Sequence, residues 1–255
     1  MRLIITEHYS DMCRKAASIM ASQITLKPDS VLGLATGSTP VGIYDQLTAW
    51  HQNGELDFSQ ITTVNLDEYY GLAPDNEQSY HYFMTGHLFS KVNLPKGRQF
   101  LPDGKNLDAD RECERYQNLI RLLGGIDMQL LGLGHNGHIG FNEPSDAFVK
   151  DVHLVDLAEK TIEANKRFFD RAEDVPRKAY TMGIGTIFQA KKILLVVSGA
   201  EKAGILKQVM YGSICPQVPG SILQLHSDVT VVADQEAAGE MTADQKARSG
   251  GRHGN

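Results

Sequence analysis

The sequence has few cysteines and no long apolar run, and each shortage excludes a class of protein. Its three cysteines, Cys13, Cys113 and Cys215, are far apart and show no Cys-x-x-Cys spacing. This predicts reduced thiols in a cytoplasmic protein, neither a disulfide framework nor a zinc site. No apolar run approaches the roughly eighteen residues of a membrane span, so we expect no membrane partner.

The sequence also lacks basic clusters. Lys and Arg total 25 against 31 Asp and Glu, the formal net charge is -6, and no basic run exceeds two residues. Because nucleic-acid-binding proteins usually carry a basic patch, we expect no nucleic-acid partner. The N-terminal MRLIITEHYSD has no apolar block of the kind found in secretory signals, so we expect no leader.

Apolar runs alternate with helical patterns along most of the 255 residues. Strands are predicted at 31–36, 61–66, 126–134, 192–199 and 229–234, and helices at 40–50, 116–123, 159–169 and 200–210. This alternation predicts an α/β fold in which a parallel sheet is covered by helices on both faces. Residues 236–255 show no apolar periodicity, which predicts one domain over 1–235 followed by a disordered tail.

Ligands of such a fold bind beyond the carboxyl ends of its strands, so the loops there are the first candidates. Thr36, Gly37, Ser38 and Thr39 follow the first predicted strand and precede a helix. Backbone N–H groups at a helix N-terminus suit a phosphate, and the missing Gly-Lys-Ser/Thr excludes a nucleotide P-loop. The alternative is a tight turn in which Thr39 is the N-cap and Pro40 the first helical residue.

Asp67 and Glu68 follow the second predicted strand. As neighbours they point in different directions, so one can face a cleft as a general base while the other caps or pairs elsewhere. Judged on these two residues alone, a solvated turn acid is the better interpretation.

The loop GLGHNGHIGFNEP, after the third of these strands, allows three interpretations. Residues 132–137 satisfy Gly-x-Gly-x-x-Gly, with Asp156 near the spacing of a ribose-binding acid, but the glycines and proline that follow make the required helix improbable. His135 and His138 do not show zinc spacing, so a metal site is disfavoured. The third interpretation is acid–base chemistry by His138, oriented by Glu143, with Asn136 bonding the substrate.

Taken together, TGSTP, NLDEYYGL and GLGHNGHIGFNEP closely resemble the glucosamine-6-phosphate deaminase family over about residues 1–235. The resemblance continues through TIEANKRFF and PGSILQLHSDVTVVAD. It implies a Rossmann-like, doubly wound, mostly parallel sheet in a single domain. It also implies conversion of glucosamine 6-phosphate and water into fructose 6-phosphate and ammonia, in amino-sugar catabolism, without a metal or an organic cofactor.

The resemblance implies a role for each matching residue. Asp67 matches the base that removes the C2 proton, His138 the residue that opens the sugar ring, and Glu143 the carboxylate that orients this histidine. Asn136 matches a supporting position in ring opening. The positions that match phosphate-binding residues are Gly37, Ser38, Thr39, Arg167 and Lys202. A segment at about 157–183 resembles the family's mobile lid.

Several alternatives remain open. Galactosamine-6-phosphate deaminase/isomerase is the nearest, whereas DEYYGL and FNEP argue against 6-phosphogluconolactonase. The effector domain of a sugar-responsive repressor is another alternative, but we expect no room for its helix-turn-helix. Some family members are hexamers activated by N-acetylglucosamine 6-phosphate. The basic pair that binds it is not evident in SDAFVKDVHLVDL, and a homo-oligomer of another kind stays possible.

Overall fold

The computed structural model describes residues 1–157, 162, 171 and 175–245. Its strands are β1 Arg2–Thr6, β2 Val31–Leu34, β3 Thr62–Asn65, β4 Asp67–Tyr69, β5 Gln99–Phe100, β6 Met128–Leu131, β7 His153–Asp156, β8 Lys178–Thr181, β9 Lys192–Val197 and β10 Val229–Asp234. Its α-helices are α1 Tyr9–Leu26, α2 Val41–Gln52, α3 Tyr80–Met84, α4 Ala109–Leu122, α5 Ile184–Phe188 and α6 Ala203–Tyr211. Short 3-10 turns cover Lys96–Arg98, Ala200–Lys202 and Pro219–Leu225, and a π turn covers Thr85–Phe89.

Seven strands form a fully parallel sheet in the order β1-β10-β9-β6-β2-β3-β5. The five strands expected from apolar runs are all in this sheet, and helices flank it, so the predicted fold class is confirmed. Strands β2, β6 and β9 are buried almost throughout, which explains their near-continuous apolar sequence. The edge strand β1 and helix α1 were not predicted, although the buried side chains of α1 include Met12, Ala16, Met20 and Ile24 at four-residue steps.

The chain order reverses between β2 and β6. From β2 the chain proceeds outward through β3 to β5, whereas from β6 it proceeds in the other direction through β9 and β10. In open α/β sheets this switch point opens a crevice at the carboxyl ends of the strands. The loops after β2, β3 and β6, which carry the predicted site residues, therefore converge here.

Buried tyrosines hold the strand ends beside this crevice. Tyr44 of α2 is fully buried, and its hydroxyl donates to the carbonyl of Ala35 at 2.5 Å. Tyr116 of α4 donates to the carbonyl of Asn65 at 2.8 Å. Each hydroxyl satisfies a backbone oxygen just where a strand ends, so the apolar core and the loop geometry are coupled through these two side chains.

A second sheet, not predicted from the sequence, contributes Asp67 to the crevice. It has three antiparallel strands in the order β4-β8-β7, and Asp67 pairs with Thr181 in its register. Strand β4 follows β3 after a single residue, so the chain leaves the parallel sheet and enters the smaller one at Leu66. This change of sheet places Asp67 and Glu68 on a strand whose three residues are all buried.

The packed chain continues past residue 235. Ala237, Ala238 and Met241 are buried in the main core, and Tyr211 donates to the carbonyl of Gln245 at 2.7 Å. The rest of the predicted tail, 246–255, and nearly all of the predicted helix 159–169 lie outside the described residues. None of the helices in the described part of the chain has the length and apolar character that a membrane span requires.

Candidate active site

A cleft of about 290 Å³ lies at the switch point, and loops from four strands line it. The predicted site residues that line it are Thr36, Gly37, Ser38, Thr39, Asp67, His138 and Lys202. Glu143 and Asn136 are not among the lining residues, but both contact Nδ1 of His138. Arg167 lies outside the described residues, as does most of the segment that resembles a lid. The structure thus brings together residues that are up to about 166 positions apart in the chain.

The loop after β2 has the geometry of an anion site. Gly37 has φ +90°, a conformation that residues with a side chain rarely adopt, and it turns the chain from β2 towards α2. Among the described residues, no acceptor pairs with the backbone N–H groups of Gly37, Ser38 or Thr39. These three donors lie at the N-terminus of α2, where the helix dipole also favours a negative charge.

Lys202 contributes a cation to the same cleft. It ends the 3-10 turn after β9, and Asp234 holds this turn by accepting from Gly199 N at 3.2 Å and from the hydroxyl of Ser198. Desolvation lowers the pKa of Lys202, against the opposing attraction of Glu201. Within the described chain Lys202 has no ion-pair partner, so its charge remains available for an anionic ligand.

Asp67 and Glu68 are both buried, with exposed fractions of 6% and 3%, so the interpretation as solvated turn acids is wrong. They alternate across β4, as neighbouring strand residues must. Asp67 lines the cleft. Glu68 points the other way and accepts the backbone N–H groups of Tyr80 and His81, each at 2.9 Å, at the start of α3. One acid is thus available for chemistry, and the other caps a helix.

The two carboxyl groups are strongly perturbed. Burial, and secondarily the charge of Glu68, raise the pKa of Asp67 to about 8. Burial also raises the pKa of Glu68 to about 7, although its hydrogen bonds from Tyr80, His81 and Tyr69 oppose the shift. A carboxylate with a raised pKa is a stronger base than a free aspartate, which suits removal of a proton from carbon.

His138, Asn136 and Glu143 form a closed hydrogen-bonded triangle. Nδ1 of His138 lies 3.0 Å from Oε1 of Glu143 and 2.8 Å from Oδ1 of Asn136, and Asn136 Nδ2 donates to Glu143 Oε2 at 2.5 Å. Since both atoms that face Nδ1 are acceptors, the neutral ring carries its proton on Nδ1 and presents the Nε2 lone pair. Burial opposes ionisation of Glu143, but its bonds with His138 and Asn136 outweigh it and lower its pKa.

Glycine at position 134 is required by the imidazole. A Cβ there would lie 2.3 Å from Cε1 and Nε2 of His138, so the ring packs directly against the backbone. Gly137, at φ +86°, closes the turn between these residues by donating to the carbonyl of Gly134 at 3.1 Å. No helix begins anywhere between 132 and 157, so these glycines lack the helix that a dinucleotide fingerprint opens.

Tyr80 lines the cleft and was not among the predicted site residues. Its hydroxyl donates to the hydroxyl of Tyr69 at 3.2 Å. Its ring stacks on that of Phe141, with centroids 6.1 Å apart and planes 7° apart. Because Glu68 caps the helix that begins at Tyr80, the buried acid also positions this aromatic wall.

Within the part of the chain that the structure describes, no three His, Cys, Asp or Glu side chains converge as metal ligands would. Cys13, Cys113 and Cys215 are all free thiols.

These features define a class of α/β proteins that combine an anion-binding loop, a buried carboxylate and a histidine–glutamate pair at the switch point of a parallel sheet. The sequence profile of the family described as glucosamine-6-phosphate isomerases/6-phosphogluconolactonase matches residues 6–232. The chain belongs to this family, as its motifs predicted.

Relatives named glucosamine-6-phosphate deaminase match nearly the whole chain. A glucosamine-6-phosphate deaminase of Lachnoclostridium phytofermentans is 56% identical over 91% of this chain and 98% of its own length. One from Halothermothrix orenii is 52% identical over 93% and 99%. A solved structure described as a monomeric glucosamine-6-phosphate deaminase is 48% identical, with a TM-score of 0.90 over 94% of this chain and all of its own.

More distant structures share the fold alone. A 6-phosphogluconolactonase from Leishmania guyanensis superposes with a TM-score of 0.72 at 21% identity, over 95% of this chain and 99% of its own.

Proposed function

We propose that this protein converts glucosamine 6-phosphate and water into fructose 6-phosphate and ammonia. The observation that carries the proposal is the meeting, in one cleft, of an anion-binding loop, a buried carboxylate of raised pKa and a histidine held in one tautomer. The names of relatives at 52–56% identity support the same reaction.

The phosphate is proposed to bind at the end of the cleft formed by the loop after β2. Gly37, Ser38 and Thr39 would donate their backbone N–H groups, and Lys202 would supply a positive charge. Arg167 is proposed as a further phosphate ligand on the resemblance alone. Binding energy at the phosphate, which takes no part in the reaction, would hold C1 and C2 against the catalytic groups.

Ring opening is proposed for His138. Its Nε2 would take the proton of the C1 hydroxyl, and the imidazolium would return a proton to the ring oxygen as the bond between that oxygen and C1 breaks. Glu143 would stabilise the transient positive charge, and Asn136 would keep both side chains in place. The product is an open-chain aldehyde at C1.

Proton abstraction at C2 is proposed for Asp67. The aldehyde acidifies the C2 proton, so a carboxylate with a pKa near 8 is a sufficient base. The electron pair left at C2 forms the enol as the C1 oxygen takes up a proton. C1 then takes the proton held by Asp67 while the amine nitrogen loses one, and the resulting imine at C2 adds water and releases ammonia. The carbonyl at C2 is that of fructose 6-phosphate, so atoms and charge balance.

Three further expectations belong with this proposal. The relative described as monomeric makes a monomer the simplest assembly. A homo-oligomer and a cytoplasmic location stay predictions. We also propose that N-acetylglucosamine 6-phosphate does not activate this enzyme. The pocket of about 270 Å³ beyond Glu143 is largely apolar, with Phe148, Val149 and Val155 among its lining residues. Its described lining residues therefore offer no basic pair for the phosphate of this activator.

Ammonia release separates the candidate substrates. Glucosamine 6-phosphate, galactosamine 6-phosphate and 6-phosphogluconolactone should be assayed side by side, and only the first should react at an enzymatic rate. Faster release from galactosamine 6-phosphate would change the assigned substrate. Lactone hydrolysis without ammonia release would assign the lactonase reaction, and sugar-phosphate binding without turnover would indicate an effector domain.

A further inference from the structure

The phosphate loop joins α2 without a side-chain cap. Thr39 and Pro40 were expected as N-cap and first helical residue, but α2 begins at Val41, and Pro40, with φ -80° and ψ -7°, occupies the cap position without a side-chain hydrogen bond. The first N–H groups of a helix have no partner within the helix, so this N-terminus needs another acceptor.

Tyr9, in the first turn of α1, supplies that acceptor. Its hydroxyl lies 3.2 Å from the backbone nitrogen of Gly42, 3.2 Å from the carbonyl oxygen of Ser38 and 3.1 Å from that of Thr39. The oxygen thus accepts one N–H and shares its own proton between two carbonyls. Partial burial, with a smaller contribution from Cys13, raises the pKa of Tyr9 to about 12, so the hydroxyl keeps this proton at neutral pH.

Gly42 makes room for this contact. A Cβ at position 42 would lie 2.8 Å from Sγ of Cys13 and 3.2 Å from the hydroxyl oxygen of Tyr9. Cys13 is one turn after Tyr9 on α1 and is almost fully buried. The close approach of α1 to the first turn of α2 therefore depends on the absence of a side chain at this one position.

Peptide planarity links this contact to the cleft. The carbonyl of Ser38 and the N–H of Thr39 belong to one trans peptide group and point in opposite directions. A hydroxyl that holds this carbonyl from the α1 side consequently aims the N–H away from α1. Tyr9 itself is not among the cleft-lining residues, so it does not contact a ligand there.

We propose that Tyr9 is a positioning residue that orients the donors of the phosphate loop. The proposal rests on the proposed function, because it assumes that this loop binds the substrate phosphate. With Tyr9→Phe the ring packing is kept and only the hydroxyl is lost. The loop then samples other orientations, and the cost falls on ligand binding, because the variant leaves Asp67 and His138 in place.

The test measures KM and kcat for glucosamine 6-phosphate, and inhibition by inorganic phosphate. Tyr9→Phe should raise KM about 3- to 10-fold, as expected for one lost hydrogen bond, and weaken phosphate inhibition by a similar factor, with kcat within about twofold. Gly42→Ala, which crowds the same hydroxyl, should change KM in the same direction. Tyr82→Phe is the matched control and should change neither, because this exposed hydroxyl bonds no described residue.

Failure of the role proposed for Tyr9 can be distinguished from failure of the proposed function. Unchanged KM and unchanged phosphate inhibition in Tyr9→Phe would overturn the role of Tyr9, even if its melting temperature fell. If the unaltered protein releases no ammonia, the proposed function fails. Calorimetric titration with inorganic phosphate then still tests the role of Tyr9, because weaker binding to Tyr9→Phe supports it and equal binding overturns it.

Discussion

Nδ1 of His138 lies 3.0 Å from the carboxylate of Glu143, and the same carboxylate accepts from the amide of Asn136. The carboxylate thus receives one hydrogen bond at each oxygen, and the ring nitrogen faces only acceptors. The tautomer that leaves Nε2 unprotonated is therefore built into the network before a substrate arrives.

Glu143→Gln should impair ring opening without weakening phosphate binding. An amide at position 143 can turn its NH₂ towards Nδ1, which shifts the histidine proton to Nε2 and removes the base. We expect kcat/KM to fall about 100- to 10,000-fold. An acyclic amino-alditol phosphate, which has no ring to open, should inhibit the variant and the parent protein equally. Glu77→Gln, at an exposed position, is the control. A near-normal kcat/KM in Glu143→Gln would contradict the role assigned to Glu143.

Asp67→Asn should abolish exchange of the C2 proton while leaving sugar-phosphate binding largely intact. The amide has nearly the same shape but cannot accept a proton from carbon. Incubation with substrate in deuterated water, followed by NMR at C2, measures the exchange directly. Continued exchange at the rate of the unaltered protein would remove Asp67 from its role.

The same variant should be more stable than the unaltered protein at alkaline pH. The pKa of Asp67 is about 8 in the folded chain, against about 3.9 for an unperturbed aspartate. Between these values the folded state binds more protons than the unfolded state, so the stability that this group contributes falls as the pH rises towards 8. The amide that replaces the carboxyl group in the variant does not titrate. The melting temperature of the variant relative to the parent should therefore rise between about pH 5 and pH 8, and a constant difference would argue against the raised pKa.

Glu68→Gln tests the coupling between the two buried acids. The charge of Glu68 raises the pKa of Asp67, so its removal should move the acid limb of the kcat/KM profile to lower pH. The variant should also lose about 1–3 kcal/mol of stability, because an amide cannot accept all the N–H groups that this carboxylate accepts. A pH profile identical to that of the parent would indicate that Asp67 does not set the acid limb.

The meeting of the three loops could be predicted from the order of strands and helices alone. Asp67 and His138 each follow a buried apolar strand, and parallel strands present their carboxyl ends at one edge of the sheet. The neighbouring acids were misjudged because the local pattern of DEY does not show that β4 pairs with β8, more than a hundred residues later. Burial of a carboxylate is a tertiary property, and short antiparallel strands leave little periodic signal.

Tyr80 and Tyr9 show two different reasons for a missed residue. The role of Tyr80 arises from the cap that Glu68 provides at the start of α3, a contact that no local pattern encodes. Tyr9, in contrast, could have been placed, because Met12, Ala16 and Met20 lie three, seven and eleven residues after it and predict the buried face of α1. What remained beyond prediction was the packing of α1 against α2 that brings its hydroxyl to the phosphate loop.

Lys202→Ala should act on binding more than on turnover. The ammonium group lines the cleft without an ion-pair partner among the described residues, and a hydrogen bond to a charged group is worth about 1.5–3 kcal/mol. We therefore expect KM to rise about 10- to 100-fold with a much smaller change in kcat. Lys207→Ala, on helix α6 and not among the cleft-lining residues, should leave both constants unchanged. A normal KM in Lys202→Ala would indicate that the phosphate does not bind at this end of the cleft. The orientation proposed for C1 and C2 would then also be wrong.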